Sequence, residues 1–332
     1  MKKVYTLLLA LISLSAFSQE THLNYERYLI AGDEAPMIIK DYLNPAMVGM
    51  MNTASSGWYS TAETHKRFGF DISVNLMGAF VPDSDLDFDI SKYNNITVDG
   101  GQEMMPTIFG TKAESPSITS LIYQPAKGSG MNAPNGIGLT KPVAPNAMIQ
   151  AGLGIGWGTE IKFRYVPNSG KDGFKANTWG VAIQHDVFQY IPGNKAIPIH
   201  ISVIGGYTKS KGTWTFNSDD NQWDGSNQYT DFEVQNYSFQ LLASTNIPFI
   251  NAYGGIGYNS SKSSYKMYGE YIIDDEVNTP ETLMDPASAD WESSGFTATA
   301  GVRLSIAFFK IFADYTWKEY NTVTAGIAFS FR

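Results

Sequence analysis

Between Gly152 and Tyr165 the sequence reads GLGIGWGTEIKFRY, and its two parities differ in character. Leu153, Ile155, Trp157, Thr159, Ile161, Phe163 and Tyr165 are almost wholly apolar, while Gly152, Gly154, Gly156, Gly158, Glu160, Lys162 and Arg164 are glycine followed by charge. Successive side chains of an extended chain point to opposite faces, so the segment carries a greasy side and a wet side. The pattern predicts one continuous strand of 14 residues, well beyond the ~5 to 6 residues of an ordinary globular strand. An outward apolar face, an inward polar face and ~9 to 11 residues within hydrocarbon are what a transmembrane barrel strand requires.

The chain start is consistent with export. Lys2 and Lys3 precede an apolar run from Val4 to Leu14, and Ala16 and Ser18 supply the small residues of a cleavage site before Gln19. The run is too short for the ~20 residues of a spanning helix, so 1–18 reads as a cleaved signal peptide. There is no cysteine, hence no disulfide staple and no lipid-modified cysteine at the cleavage site. Removing the two signal lysines leaves 21 basic against 32 acidic residues and moves the formal charge from −9 to −11, which argues against nucleic acid as a partner. A mean hydropathy of −0.18 suits a barrel, because half of each strand faces water. The 19 Tyr, 19 Phe and 7 Trp would furnish interfacial aromatic girdles, though a secreted β-sandwich is aromatic-rich too.

Residues 19–54 show no alternation. Met37 to Met51 predicts a short helix and a turn, broken at Asn44-Pro45-Ala46 because proline disfavours helical geometry at the preceding residue. Met37, Asn44, Pro45, Met47 and Met50 would form a hatch-like piece in one mouth of the barrel, or simply a helix that packs. The barrel itself is expected over 55–332. Phe68 to Val81 repeats the two-faced pattern, with Asp71, Ser73 and Asn75 on the wet side. Asp83, Asp85, Asp87 and Asp89 could recruit a hard cation, but a solvated loop explains them as well. From about 100 to 146 the alternation stops and six prolines punctuate the chain. An insertion of that length either folds inward as a constriction or stands outside as a loop.

Alternation then resumes, with Trp179, Val181 and Ile183, then Ile197 to Tyr207, then Phe239, Leu241 and Ala243. Asp219 to Asp224 reads as a polar connection, and Asp274 to about Trp291 as a long irregular one. The C-terminal run is the cleanest, giving three strands from Phe296 to Phe331 with short links that favour antiparallel neighbours. The fold class is therefore all-β, an antiparallel transmembrane β-barrel of roughly 10 to 14 strands with a short N-terminal helical hatch-like segment.

Few residues suggest chemistry. The glycines at 152, 154, 156 and 158 lack the strand-to-helix turn of a dinucleotide site and would instead let other backbone approach the wall. His185-Asp186 is the pair most like a catalytic dyad, but adjacent strand residues point to opposite faces and no G-x-S-x-G elbow accompanies it. No enzyme is expected, no cofactor, and, with four histidines at no ligand spacing, no metal. The inward charges Asp71, Glu160, Lys162, Arg164, Arg303, Asp314 and Lys318 would line the lumen, setting selectivity or pairing to fill it.

Several phrases in order resemble an uncharacterised family of Gram-negative outer-membrane barrels, distantly similar to the long-chain fatty-acid transporter barrels. They are Gly57-Trp58-Tyr59-Ser60-Thr61-Ala62 with His65, Pro106 to Gly110, Gly158 to Lys162 with Arg164-Tyr165, Gln184-His185-Asp186 with Gln189 to Pro192, and Gly205 to Thr208. Asn44-Pro45-Ala46 is similar to an N-terminal motif of those transporters. The resemblance implies an outer-membrane location, lipid as surroundings, and passive passage of a small solute, apolar or amphiphilic ligands included. A structural or anchoring barrel in a secretion or surface assembly is the alternative.

Overall fold

In the computed structural model, residues 24–112, 116–123, 131–171, 173–194, 197–216, 223–273 and 280–331 are described. The expected signal peptide, Asp219 to Asn221 and Asp274 to Glu276 lie outside the described residues. Ten strands form a ring: β1 Phe70–Phe80, β2 Val143–Gly156, β3 Thr159–Lys171, β4 Phe174–Asp186, β5 Ile199–Thr215, β6 Asp224–Thr245, β7 Ile250–Ile273, β8 Ser288–Ile306, β9 Phe309–Trp317 and β10 Thr322–Phe331. Each pairs antiparallel with its neighbours in the chain, and β1 pairs with β10 from Phe70↔Phe331 to Ala79↔Thr322, which closes the barrel. A further strand, Glu281–Met284, pairs only with the upper end of β7 and stays outside the ring.

Alternation sorts the side chains. Ile149, Leu153, Ile161, Phe163, Val181 and Ile183 lie exposed on the outer face, while Gln150, Glu160, Lys162, Arg164 and Gln184 are buried inside. Aromatic rings bound this belt. Trp179, Tyr207 and Tyr237 meet at 5.4 and 4.8 Å along its upper edge, and Phe70, Phe331 and Phe308 stack at 5.1 and 6.0 Å along its lower edge. The 11 residues of β1, tilted as barrel strands are, cover about 25 Å of wall, the height of an apolar membrane band. Among the described residues no helix is long and apolar enough to cross a membrane. The strands do so.

Gly152 to Tyr165 is not one strand but a hairpin. β2 ends at Gly156, and Trp157 and Gly158 turn the chain with φ of 51° and 67°. Positive φ at both central residues is the turn that matches strand twist. A two-residue turn, with a register shift between Gly154 and Gly156, leaves the parity of the two arms unchanged. The alternation therefore runs through the turn without a break.

β6, β7 and β8 run 22, 24 and 19 residues and rise beyond the belt. The expected polar connection at Asp224 and the irregular piece before Trp291 are thus strand from Asp224 and from Ser288 onward. Above the belt both faces are polar or packed on protein, so period 2 carries no signal there.

Inside the upper mouth sits one helix, α1 Ala35–Ala54, preceded by a 3-10 segment, Tyr25–Glu34. Contrary to the expected break, α1 continues through Pro45. Proline removes the bond to the carbonyl four residues back at a cost of about 3 kcal/mol. Thirteen of the 20 residues of α1 are buried, and that packing outweighs the defect. Met47 is fully buried, Pro45 buried, Asn44 and Met50 half-buried, and Met37 exposed. Of the insertion expected at about 100–146, the described residues before Val143 cap α1 together with 81–99, and 143–146 already belong to β2. The cap's Met105, Ile108, Phe109 and Ile118 join Ile38, Ile39, Tyr42 and Met47 in one apolar core with Tyr265 and Trp291 of the rising strands.

Candidate functional site

Leaving α1 at its C-terminus, residues 55–69 run down through the lumen to the lower rim, where β1 begins at Phe70. The barrel wall therefore starts later than residue 55, and the intervening chain is its filling. A helix C-terminus presents unsatisfied carbonyls and a partial negative charge. α1 has no basic residue in its last turn, and the wall supplies two. Arg164, fully buried, donates from Nη1 to Ala54 O at 3.2 Å and from Nη2 to Ser56 O and Gln150 Oε1 at 3.1 Å each. Its guanidinium also lies 3.4 Å from the ring centroid of Trp58. Lys318 Nζ donates to Asn52 O, Ser55 Oγ and Ser56 Oγ at 2.5, 2.9 and 2.6 Å.

Below this level the segment is tied to further strands. Trp58 packs where Gly206 leaves room, since a Cβ there would stand 2.9 Å from the indole. Tyr59 donates to Gln240 Oε1 at 2.7 Å and meets Tyr253 edge-on, and Tyr253 in turn donates to Asp314 Oδ2 at 2.8 Å. Ala62 N donates to Ser244 Oγ at 3.0 Å and Gln184 Nε2 to Thr61 O at 3.2 Å.

At the lower end the segment meets the glycine arm of the hairpin. A Cβ on Gly154 would stand 2.2 Å from Lys66 O and 2.5 Å from His65 O, so only glycine admits this approach. Backbone bonds then join Phe68 N to Gly154 O and Gly154 N to Gly69 O, both at 2.8 Å. Beside them, the His65 backbone N–H donates to Glu160 Oε2 at 2.9 Å and its Nδ1 lies 2.8 Å from the same oxygen. Lys162 Nζ is 2.8 Å from Glu160 Oε1, and one ligand atom each of His65, Asp71 and Glu160 lies within 4.8 Å of the others. Arg303 Nη2 is 3.9 Å from Glu63 Oε2.

The seven inward charges thus occupy three levels, not one constriction. Asp71, Glu160 and Lys162 gather round His65 at the bottom; Arg164 stands alone with Trp58 higher up; Asp314, through Tyr253, and Lys318 brace the segment from the opposite wall; Arg303 faces Glu63. Sequence reasoning missed the partners on the internal segment, among them Ser55, Ser56, Trp58, Glu63 and His65, because an extended segment inside a lumen has no period to read. Of the two candidate dyad residues, His185 bonds Thr159 Oγ1 at 2.8 Å and Tyr190 OH at 3.1 Å, whereas Asp186 accepts from the backbone of Phe188 and Gln189. His185 and Asp186 thus both brace the turn at Phe188–Tyr190, each through its own partners. Asp85 accepts from the buried Tyr320, and Asp89, at the end of a short strand Asp87–Asp89, accepts from Ser91.

Cavities of about 10 and 30 Å³ flank Ser55 and Lys318, the smaller with room for about one water. A larger recess of about 380 Å³ opens at the lower mouth between His65, Arg67 and Trp157.

A model described as "Family of unknown function (DUF6588)" matches residues 1–331. No curated protein matches the chain. Among solved structures it is similar to Ail, the attachment invasion locus protein of Yersinia pestis, at 10% identity and a TM-score of 0.28, over 80% of this chain and 99% of that one. The translocator domain of autotransporter NalP from Neisseria meningitidis is similar at 11% and 0.32 over 88% and 99%, and the outer membrane protein OprG from Pseudomonas aeruginosa at 10% and 0.26 over 82% and 100%. Likenesses this distant carry no functional information. The closed ring of strands establishes the fold.

Proposed function

Because the chain belongs to DUF6588, a family of unknown function, its role has to be argued from its own geometry, and we propose an outer-membrane β-barrel that passes a small solute when its internal segment gives way. The observation that carries this reading is the grip on residues 55–69. It combines a small apolar cluster at Trp58, Tyr59 and Ala62 with many hydrogen bonds and ion pairs to the wall, and the polar contacts can be exchanged for water or ligand one at a time. The likeness of Asn44-Pro45-Ala46 to the fatty-acid transporters extends the solute class to apolar and amphiphilic molecules. Export behind residues 1–18 and a lipid-facing belt support an outer-membrane location under the same proposal.

A second reading rests on the small cavities of about 10 and 30 Å³. A lumen this full suits a structural or anchoring barrel. Liposome flux separates the two. Arg164→Met removes the bonds to Ala54 O, Ser56 O and Gln150 while roughly preserving volume, and in the conduit reading it raises the flux of a small neutral sugar and of a short-chain fatty acid several-fold over wild type. If the variant keeps its heat-modifiable gel mobility and still passes neither solute faster than protein-free liposomes, the anchoring reading takes its place.

A further inference from the structure

We propose that His65, Asp71 and Glu160 form a site for a divalent transition-metal ion, zinc in the first instance, which pins the internal segment to the barrel wall. The three residues come from separate elements: His65 from the segment, Asp71 from β1 and Glu160 from β3. One ligand atom of each lies within 4.8 Å of the other two. Tetrahedral coordination at ~2.1 Å sets donors about 3.4 Å apart, so the side chains close by about an ångström around an ion.

Four features of the site favour a cation. Asp71 Oδ1 is buried with no hydrogen-bond partner, and Glu160 Oε1, on a side chain 1% exposed, has only the ion contact with Lys162. Both oxygens face the space left by Gly152, where a Cβ would stand 2.6 Å from each. The histidine is oriented as metal ligands are, with Nε2 bonded to Ser330 Oγ at 3.1 Å and Nδ1 turned toward the carboxylates. The recess of about 380 Å³ at the lower mouth reaches His65, between Lys66 and Arg67, which gives an approach to the histidine from solvent. One imidazole with two carboxylates suits zinc, manganese or iron better than calcium, which prefers oxygen alone.

Lys162 opposes the ion. Its ammonium compensates one of the two carboxylates, and Arg303 also acts on both of them. Binding therefore requires Lys162 Nζ to swing away from Glu160 Oε1 on its flexible stem. This competition supplies a test that a merely structural cluster would not meet. The site stands independently of what the barrel transports.

The full chain, purified in detergent with a histidine-free tag and stripped with EDTA, is titrated with zinc chloride by calorimetry, and bound zinc is counted by elemental analysis. One zinc per chain is expected. His65→Gln should weaken binding by about tenfold or more, and Lys162→Met should tighten it. Cobalt(II) in place of zinc should give visible absorption bands that His65→Gln abolishes. Absence of stoichiometric zinc in the wild type overturns the proposal, and so does undiminished binding by a heat-modifiable His65→Gln protein. Should His65→Gln not fold, Asp71→Asn supplies the same comparison: weakened binding supports the site, and undiminished binding overturns it.

Discussion

The upper and lower halves of the interior are filled by adjacent stretches of one chain and held by different proportions of apolar and polar contact. Above the belt, α1 and the cap bury Ile38, Ile39, Tyr42 and Met47 against Met105, Phe109 and Tyr265 in a shared apolar core. Within the belt, residues 55–69 bury Trp58, Tyr59 and Ala62 in a smaller apolar cluster with Ile204, Leu242 and Phe312, and polar contacts from Arg164, Gln240, Ser244, Glu160 and Lys318 hold the rest. Apolar burial is non-directional and is lost only when the packed unit comes apart. Directional contacts can break singly while the rest hold. The upper half is thus one packed unit, and the lower half a strap whose polar contacts outnumber its apolar ones.

The largest effect should come from the upper core. Ile38 is fully buried in it, and Ile38→Ala should lower the stability of the docked helix by about 2–5 kcal/mol. Limited proteolysis of the N-terminal segment reads this loss. With the strap intact, flux through the barrel should stay near wild type, and a rise in flux equal to that of Arg164→Met would erase the distinction between the halves.

A pH dependence sharpens the same contrast. Glu26 in the 3-10 segment is 2% exposed, and burial raises its pKa from 4.5 to about 7, with Arg27 beside it pulling only weakly the other way. Because the folded value is the higher one, the stabilisation is complete below about 4.5, declines through that window, and is gone above about 7. The whole change amounts to about 3 kcal/mol. Protease resistance of the upper segment should therefore fall from pH 5 to pH 8 in the wild type, and Glu26→Gln should flatten the profile.

Gly154→Ala probes the strap from the wall side. Its Cβ would collide with Lys66 O and His65 O, so the segment must retreat at a cost of about 1–3 kcal/mol. Trypsin cleavage after Lys66 and Arg67 should become faster, while the α1 core remains protected. Unchanged cleavage there would mean that β2 yields instead of the strap.

What could be read from sequence follows the solvent boundary. Wherever one face of a strand meets lipid and the other meets the lumen, the two chemistries alternate, and β1, the two faces of the β2 and β3 arms, and β8 to β10 are legible for that reason. The turn at Trp157-Gly158 was not, since both arms keep one parity across it. Nor were the upper ends of β6 and β8, where neither face meets lipid. In the interior, Glu160, Lys162 and Arg164 announced themselves as inward, but the partners that give them meaning lie on an aperiodic stretch, His65 being 95 residues from Glu160. Pro45 misled because a local rule about helices was set against burial that only the assembled mouth provides.

The smallest effect is expected outside both halves, on the part of the wall that rises beyond the belt. Lys262 Nζ and Glu292 Oε1 lie 2.6 Å apart across β7 and β8, with both side chains about 70% exposed (72% and 71%). Such a pair gains little Coulomb energy in water, loses side-chain freedom, and is screened by salt. Glu292→Gln should accordingly leave the thermal midpoint, protease pattern and flux unchanged within error. Arg164, by contrast, has no carboxylate partner, yet its contacts are dry and its loss should be felt. If Glu292→Gln proved as disruptive as Arg164→Met, the grip on the strap would depend on the shape of the rising wall rather than on the buried contacts, and the two halves would have to be treated as one cooperative unit.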